Sequence, residues 1–367
     1  MSISRYLLMN QDVPMLKFSC WRNEFDEPEF TELQWHTPYR PIGYHNLGSF
    51  LARRKAPKHR KHIQQLLERY GCDDLEGFLQ VTHALSLNDT FWVQGSDSKL
   101  TWAEMSLYCN EFNKIISEAA FDGTLSETGL SSTSPEFGTD GYYAKCWVRE
   151  ESGIYLYKGG SAHYEIEPLS EYLAAQLASE ICPGAVIYDM AFYHGKLVSK
   201  CPLFTSETVG LAKAGAVFHG EERTIPELLA FFDGIGSGDA FRRMCVLDAV
   251  ILNPDRHYGN FGIVFDTGTM EILGMAPVFD HNRSLFPQLD NGQLRAPEQC
   301  LKQCRPWLGR DFLVTARGLL TDGIRKDLER LQGFEFQQHP HIRANEERLA
   351  ALSDIVQEQI RMILEPV

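Results

Sequence analysis

Long apolar runs are missing from this 367-residue chain: none approaches the ~20 residues that a membrane-spanning helix needs. The first residues, MSISRYLLMNQDVP, also lack the sustained apolar core and the small-residue cleavage site of a signal peptide. The sequence therefore predicts a protein that has no membrane partner and stays in the cytoplasm.

Paired cysteines and excess positive charge are also missing. The nine cysteines, an odd number, include no CxxC pair, which favours reduced thiols over a disulfide framework. Cys300 and Cys304 could share a helix face, but no further Cys or His pair completes a zinc site. The net charge of −14 favours solubility, and we do not expect nucleic acid to be bound directly.

One segment departs from this acidic balance. Residues Arg53 to His62, RRKAPKHRKH, hold six Lys or Arg in ten positions and lead into an amphipathic stretch. Such a run is usually a solvated helix face, and its alternative is a docking patch for an acidic protein or RNA.

Turn-forming residues divide the chain. Residues 126–141, SETGLSSTSPEFGTDG, are dense in Ser, Thr, Gly and Pro and predict a loop. Residues 1–125 contain no motif with recognisable chemistry. Residues 126–204 read as strand, strand, helix, strand, strand, and residues 205–367 as mainly helical. We therefore predict an N-terminal subdomain of unknown role, a small β-rich lobe and a helical large lobe.

The most informative segment runs from Leu252 to Leu285 and contains Asp255, Asn260 and Asp280. The β-rich runs FGIVFD and MEILG are joined by Thr-Gly-Thr, which predicts a hairpin that brings Asn260 and Asp280 to one edge. Phosphoryl transfer needs a carboxylate to orient the attacking hydroxyl, and oxygen ligands that hold Mg²⁺ against ATP. Alone, each residue could be a turn former or a strand start; together they predict a catalytic site.

A cation is also needed for the phosphates, and Lys158 ends the second predicted strand of the small lobe. Glu171, thirteen residues later on the following helix, is the expected ion-pair partner, with Glu165 and Glu167 as alternatives. His257 could orient Asp255 or touch phosphate, or simply pack in the loop.

At these residues the chain resembles a known family. NPDRHYGNFG followed by APVFDHNRSL resembles the HipA-type atypical kinases, bacterial serine/threonine kinases often encoded as toxins. The DRHxxN string is shared with phosphatidylinositol 3/4-kinases. The order Asp-Arg-His, the triplet Phe279-Asp280-His281 and the absence of GxGxxG exclude an ordinary eukaryotic protein kinase.

The resemblance implies an α+β, two-lobed protein-kinase-like fold that uses ATP and Mg²⁺. It implies that Lys158 binds ATP phosphates, Glu171 holds Lys158, Asp255 is the base, and Asn260 and Asp280 bind Mg²⁺. It also places the adenine hinge at Lys200, Cys201 and Leu203, and the phosphate-covering loop at Ser134 and Gly138. His257 stays a candidate nucleotide contact on the residue pattern alone.

The implied activity is transfer of phosphate to Ser or Thr of a protein, with autophosphorylation at Ser134 and a possible antitoxin or other regulatory partner. Two alternatives stay open. One is a lipid or small-molecule kinase, suggested by DRHxxN. The other is an inactive nucleotide-binding regulator, against which the complete set of site residues argues.

Overall fold

The computed structural model describes residues 3–55, 74–112, 144–161 and 166–365, apart from the side chains of Gln299 and Cys300. Ser134, Gly138 and Glu165 lie outside these residues, as does most of the basic run.

The described residues form eleven strands and twelve helices. The strands are β1 Ser4–Asn10, β2 Val13–Arg22, β3 Pro28–Trp35, β4 Phe91–Gly95, β5 Lys145–Glu150, β6 Gly153–Gly159, β7 Asp189–Tyr193, β8 Lys196–Pro202, β9 Val209–Lys213, β10 Gly262–Asp266 and β11 Ile272–Met275. The helices are α1 Leu47–Ala52, α2 Leu75–Thr82, α3 Trp102–Met105, α4 Glu167–Ile181, α5 Ala214–Val217, α6 Ile225–Gly234, α7 Gly238–Val250, α8 Asn291–Leu294, α9 Glu298–Gln303, α10 Phe312–Leu319, α11 Asp322–Arg330 and α12 Glu346–Leu364. None of these helices has both the length and the apolar character needed to cross a bilayer.

The chain divides into two compact units. Unit 1 comprises Met1–Tyr157, Thr205–Ala212 and Val264–Ile272, and unit 2 comprises Lys158–Phe204, Lys213–Ile263 and Leu273–Val367. The boundaries predicted near residues 125 and 204 stay a prediction.

Three sheets are formed by the described strands, in the orders β3-β2-β1-β4, β5-β6-β8-β7 and β11-β10-β9. In the first sheet, Leu8 pairs with Leu16 on one side and Val93 on the other, and all three side chains are buried. Along β2 the buried apolar residues Leu16, Phe18 and Cys20 alternate with Lys17 and Ser19, so one face of this sheet lies in the core of unit 1.

At Arg54 the interpretation of the basic run as a solvated face is wrong, whereas positions 56–62 of the run lie outside the described residues. Its guanidinium is buried in unit 1 and forms two bonds to the Asp89 carboxylate, at 2.7 and 2.8 Å. It also donates to the carbonyl oxygens of Ala84 and Phe91. Arg54 is therefore a structural cation, because burial of an arginine requires this degree of pairing.

Hairpins join β7 to β8 and β10 to β11, and the sequence predicted the one between β10 and β11. His194 and Gly195 connect β7 and β8, with φ values of 49° and 73° that suit a tight two-residue turn. Between β10 and β11, Asp266 accepts hydrogen bonds from the backbone N–H of Gly268 and of Thr269, at 2.9 and 2.7 Å. Local turn chemistry thus fixes both connections.

The helices of unit 2 follow their sequence signals. Pro168 occupies the start of α4, and a capping box at the start of α6 is formed by Thr224 and Glu227. Five apolar residues of the last helix lie buried in α12: Leu349, Leu352, Val356, Ile360 and Ile363. Their three- and four-residue spacing explains why one face of α12 packs against the unit 2 core.

Candidate active site

Lys158 lies at the end of β6 and contacts two carboxylates. Its Nζ is 2.6 Å from Glu171 Oε1 and 3.0 Å from Asp280 Oδ1, and only 7% of its side chain is exposed. Burial opposes its positive charge, but Asp280 and Glu171 outweigh burial, so the pKa of Lys158 is raised. The ammonium therefore stays charged and fixed between helix α4 and the loop after β11.

Glu171, on helix α4, accepts several hydrogen bonds. Ser199 Oγ donates to Glu171 Oε2 at 2.5 Å, and the His281 N–H donates to Oε1 at 3.3 Å. Burial raises the pKa of Glu171, an effect that Lys158 opposes. The Lys158–Glu171 pair is ionised, because the ammonium, the Ser199 hydroxyl and the His281 N–H all donate to the carboxylate. Glu167, an alternative partner, instead accepts hydrogen bonds from Ser161.

The loop that follows α7 presents Asp255. No hydrogen-bond or ion-pair partner of its carboxylate lies among the described residues, whereas its backbone is held on both sides. Asn253 Oδ1 accepts from the Asp255 N–H at 3.1 Å, and Asn260 Nδ2 donates to the Asp255 carbonyl at 2.8 Å. Burial raises the pKa of Asp255 and the nearby Asp280 raises it further, while His257 lowers it.

Arg256 ties this loop to the segment that carries Asp280. Its guanidinium is buried, pairs with Asp248 of α7 at 2.9 Å, and donates to the carbonyl oxygens of Asn260 and Phe279. One Nη also donates to His281 Nδ1 at 3.1 Å. Since one rigid side chain contacts both segments, it holds Asn260 and Asp280 in a fixed relation.

Asp280 has a left-handed backbone conformation, with φ of 61°, which is uncommon for a residue other than glycine. The Tyr188 hydroxyl accepts a hydrogen bond from the Asp280 N–H at 3.0 Å. The Tyr188 ring also lies under the Lys158 ammonium, with Nζ 5.3 Å from its centroid. Tyr188 therefore positions both the backbone of Asp280 and the side chain of Lys158.

The remaining predicted nucleotide contacts are His257 and the three hinge residues Lys200, Cys201 and Leu203. His257 Nδ1 accepts from the Gly259 N–H at 2.9 Å, so this nitrogen serves the loop and not Asp255. Lys200 and Cys201 lie in β8, and Leu203 follows its end. Burial raises the pKa of the Cys201 thiol to about 12, which makes it an inert apolar neighbour. The hinge assignment stays a prediction.

The side chains present fit a hard divalent cation. The Asn260 amide nitrogen is used by the Asp255 carbonyl, so the amide oxygen is the atom that can act as a ligand. The negative charge of Asp280 raises the pKa of Asp255, a repulsion that a bound cation would relieve. Among the described residues no three His, Cys, Asp or Glu side chains could hold a metal by themselves. Mg²⁺ sites commonly use one or two protein carboxylates, with phosphate and water completing the shell.

Arg256, Tyr188 and Ser199 are the residues that sequence reasoning missed. The position of Arg256 directly after Asp255 is the signal in the sequence that points to it. Tyr188 and Ser199 reach the site only through the fold, because they lie 92 and 28 residues from their partners Asp280 and Glu171.

Comparison with known proteins finds similarity in structure alone. No family model matches the chain, and no curated protein matches it. A chain of the Shewanella oneidensis MR-1 toxin–antitoxin complex of HipA, HipB and operator DNA is similar over 98% of this chain and 96% of its own, with a TM-score of 0.52 and 9% identity. The Helicobacter pylori proinflammatory kinase CtkA aligns over 60% of this chain and 88% of its own, with a TM-score of 0.46 and 17% identity.

The similarity over nearly the whole length confirms the α+β, two-lobed fold predicted from the sequence. The motifs that resemble HipA-type proteins lie at the site described above, in unit 2. This chain has the fold of the HipA-type kinases.

Proposed function

We propose that the protein is an ATP-dependent serine/threonine protein kinase. The observation that supports this most strongly is the Lys158 ammonium, buried and held by both Glu171 and Asp280. Kinase-type sites use such a lysine on a strand, paired with a helix glutamate, to neutralise nucleotide phosphates. A purely structural pair would not require a second carboxylate at Asp280, a half-buried position with a strained backbone.

The remaining side chains take the roles that this chemistry requires. Asp255, whose carboxylate has no partner among the described residues, orients the acceptor hydroxyl and takes its proton. Asn260 and Asp280 would hold Mg²⁺, and Lys158 would contact the phosphates. When bound, Mg·ATP supplies the transferable γ-phosphoryl group and the charge that offsets the two carboxylates. Arg256 and Tyr188 position Asn260 and Asp280 through hydrogen bonds to the backbone.

The test is phosphate transfer by the full chain to a degenerate peptide mixture that contains Ser or Thr, with phosphatidylinositol vesicles and a small-molecule alcohol as parallel acceptors. We expect phosphopeptides in the presence of Mg²⁺ and none with the Asp255→Asn variant. Phosphorylation of the lipid alone would favour the lipid-kinase alternative. Mg·ATP binding without transfer to any acceptor would favour the inactive regulator.

Partners are proposed on the same basis. The similar Shewanella chain belongs to a complex with an antitoxin and operator DNA, which supports a toxin-like role with a regulatory partner for this protein. This comparison gives no support to our prediction that nucleic acid is not bound directly. Autophosphorylation at Ser134 and residence in the cytoplasm complete the proposal; Ser134 lies outside the described residues.

A further inference from the structure

Trp307 is a large apolar side chain that remains exposed beside the candidate active site. Its relative exposure is 60%. Its ring meets the imidazole of His257 edge to face, with centroids 5.9 Å apart and an interplanar angle of 74°. His257 is two residues from Asp255, so whatever covers Trp307 lies next to the proposed base. Tryptophan is enriched at binding interfaces, because it combines a large apolar ring with a polar N–H.

The segment that carries Trp307 is anchored to the catalytic loop. Pro306 and Leu308, on either side of Trp307, line the same small cavity as Asn253 and Arg256. Just before them, the Cys304 thiol lies 3.9 Å from the carbonyl oxygen of Leu252. The residues on either side of Trp307 are therefore packed against the catalytic loop, while the Trp307 side chain itself remains exposed.

The segment that carries Trp307 is basic, in contrast to the chain as a whole. Between Glu298 and Asp311 the sequence has three cations, Lys302, Arg305 and Arg310, and no acid, although the net charge of the chain is −14. All three cations are exposed, and none forms an ion pair with another described residue. An acidic partner would be repelled by most of the protein and attracted here.

We propose that Lys302, Arg305, Trp307 and Arg310, which we call the Trp307 surface, dock the segment of protein substrate that carries the acceptor hydroxyl. This inference rests on the proposed function and specifies its substrate. The segment would contain acidic residues for the three cations and one bulky apolar side chain for the indole. A protein occupant is favoured over nucleic acid, because the surface adjoins Asp255 and Ser or Thr supplies the hydroxyl needed there.

The first experiment measures docking without catalysis. The full chain is titrated against fluorescein-labelled peptides with a central Ser, flanked by Asp or Glu and by Leu or Phe, and binding is followed by anisotropy. A second mixture carries Lys in place of the acids. We expect the acidic mixture to bind more tightly, and Trp307→Ala to weaken its binding about 10-fold, as for an aromatic hot spot. Arg305→Gln/Arg310→Gln should weaken it similarly and reduce its dependence on salt.

Matched control variants remove comparable groups elsewhere in unit 2. Phe192→Ala deletes an aromatic side chain of 66% exposure from β7, and Arg295→Gln/Arg343→Gln removes two exposed arginines. Both should bind like the parent. Equal binding by Trp307→Ala and the parent, or equal binding of the Lys mixture, would overturn the proposal. Displacement of the acidic peptides by oligo(dT) that itself binds more tightly would assign the surface to nucleic acid instead.

A second readout separates this inference from the proposed function. The same peptides are incubated with Mg·ATP, and the sequences that become phosphorylated are compared between the parent and Trp307→Ala. Transfer with identical sequence preference in both would refute the docking surface and leave the kinase intact. Docking that depends on Trp307, with no transfer by any variant, would refute the kinase and leave the peptide-binding surface.

Discussion

Removing the Lys158 ammonium should cost stability as well as nucleotide binding. In Lys158→Met a side chain of similar length leaves Glu171, which is fully buried, and Asp280, which has 22% side-chain exposure, without their shared cation. Breaking a buried pair by removing one partner typically costs about 3–5 kcal/mol. Ser199 and the His281 N–H still donate to Glu171, so we expect the lower end, about 3 kcal/mol.

The assay is urea unfolding of the parent, Lys158→Met, Glu171→Leu and the double variant. Because the double variant removes the uncompensated buried charge, it should be more stable than Lys158→Met, although neither binds Mg·ATP normally. Lys326→Met, at an exposed position of α11, is the control and should unfold like the parent. If Lys158→Met unfolds within about 0.5 kcal/mol of the parent, or the two single effects simply add, the buried ion pair is not what holds this site.

Three further predictions concern catalysis and its regulation. Asp255→Asn should lower kcat by about 10² or more and leave ATP affinity nearly unchanged, because a base acts mainly in the transition state; full activity in steady-state assays would refute this role. Tyr188→Phe should fold normally but bind Mg·ATP about 10-fold more weakly, because the part-buried Asp280 N–H loses its acceptor. Unchanged affinity by calorimetry would contradict the positioning role. Incubation with Mg·ATP should place phosphate within residues 131–134, with Ser134 favoured. The phosphate adds about −1.5 to −2 charge, which repels ATP, so activity should fall as the modification accumulates. Active enzyme with no phosphate in residues 126–145 by mass spectrometry would exclude this mechanism.

Local patterns in the sequence were sufficient for much of the fold. The capping box at Thr224 and Glu227, the Gly-containing turn before β11 and the apolar spacing of α12 each depend on residues a few positions apart. Such patterns report backbone conformation and burial directly. The proximity of Asn260 and Asp280 could also be predicted from the sequence, because the hairpin between them brings its two ends close together. Asp255 lies only five residues before Asn260.

Long-range contacts were not accessible in this way. The sequence offered Glu165, Glu167 and Glu171 as partners for Lys158, and only the packing of α4 shows Lys158 against Glu171. Arg54 looked like part of a solvated basic run, but it is buried with Asp89, which is 35 residues away. Tyr188 has no motif, because its role depends on a backbone N–H that the fold brings to it. Tertiary structure decides which polar residues are paired, and periodicity does not report this.

Calorimetric titration of Mg·ATP into the parent, Asp280→Ala and Asp255→Ala tests the central claim most directly, namely that these carboxylates belong to a phosphoryl-transfer site with separate roles. We expect the parent to bind ATP only with Mg²⁺ present, and Asp280→Ala to bind Mg·ATP at least about 10-fold more weakly. Asp255→Ala should bind Mg·ATP nearly as the parent does, because the base is not a main nucleotide contact. Equal affinity of all three proteins would show that Asp280 holds no metal, and absence of binding by the parent would contradict the assignment of the site.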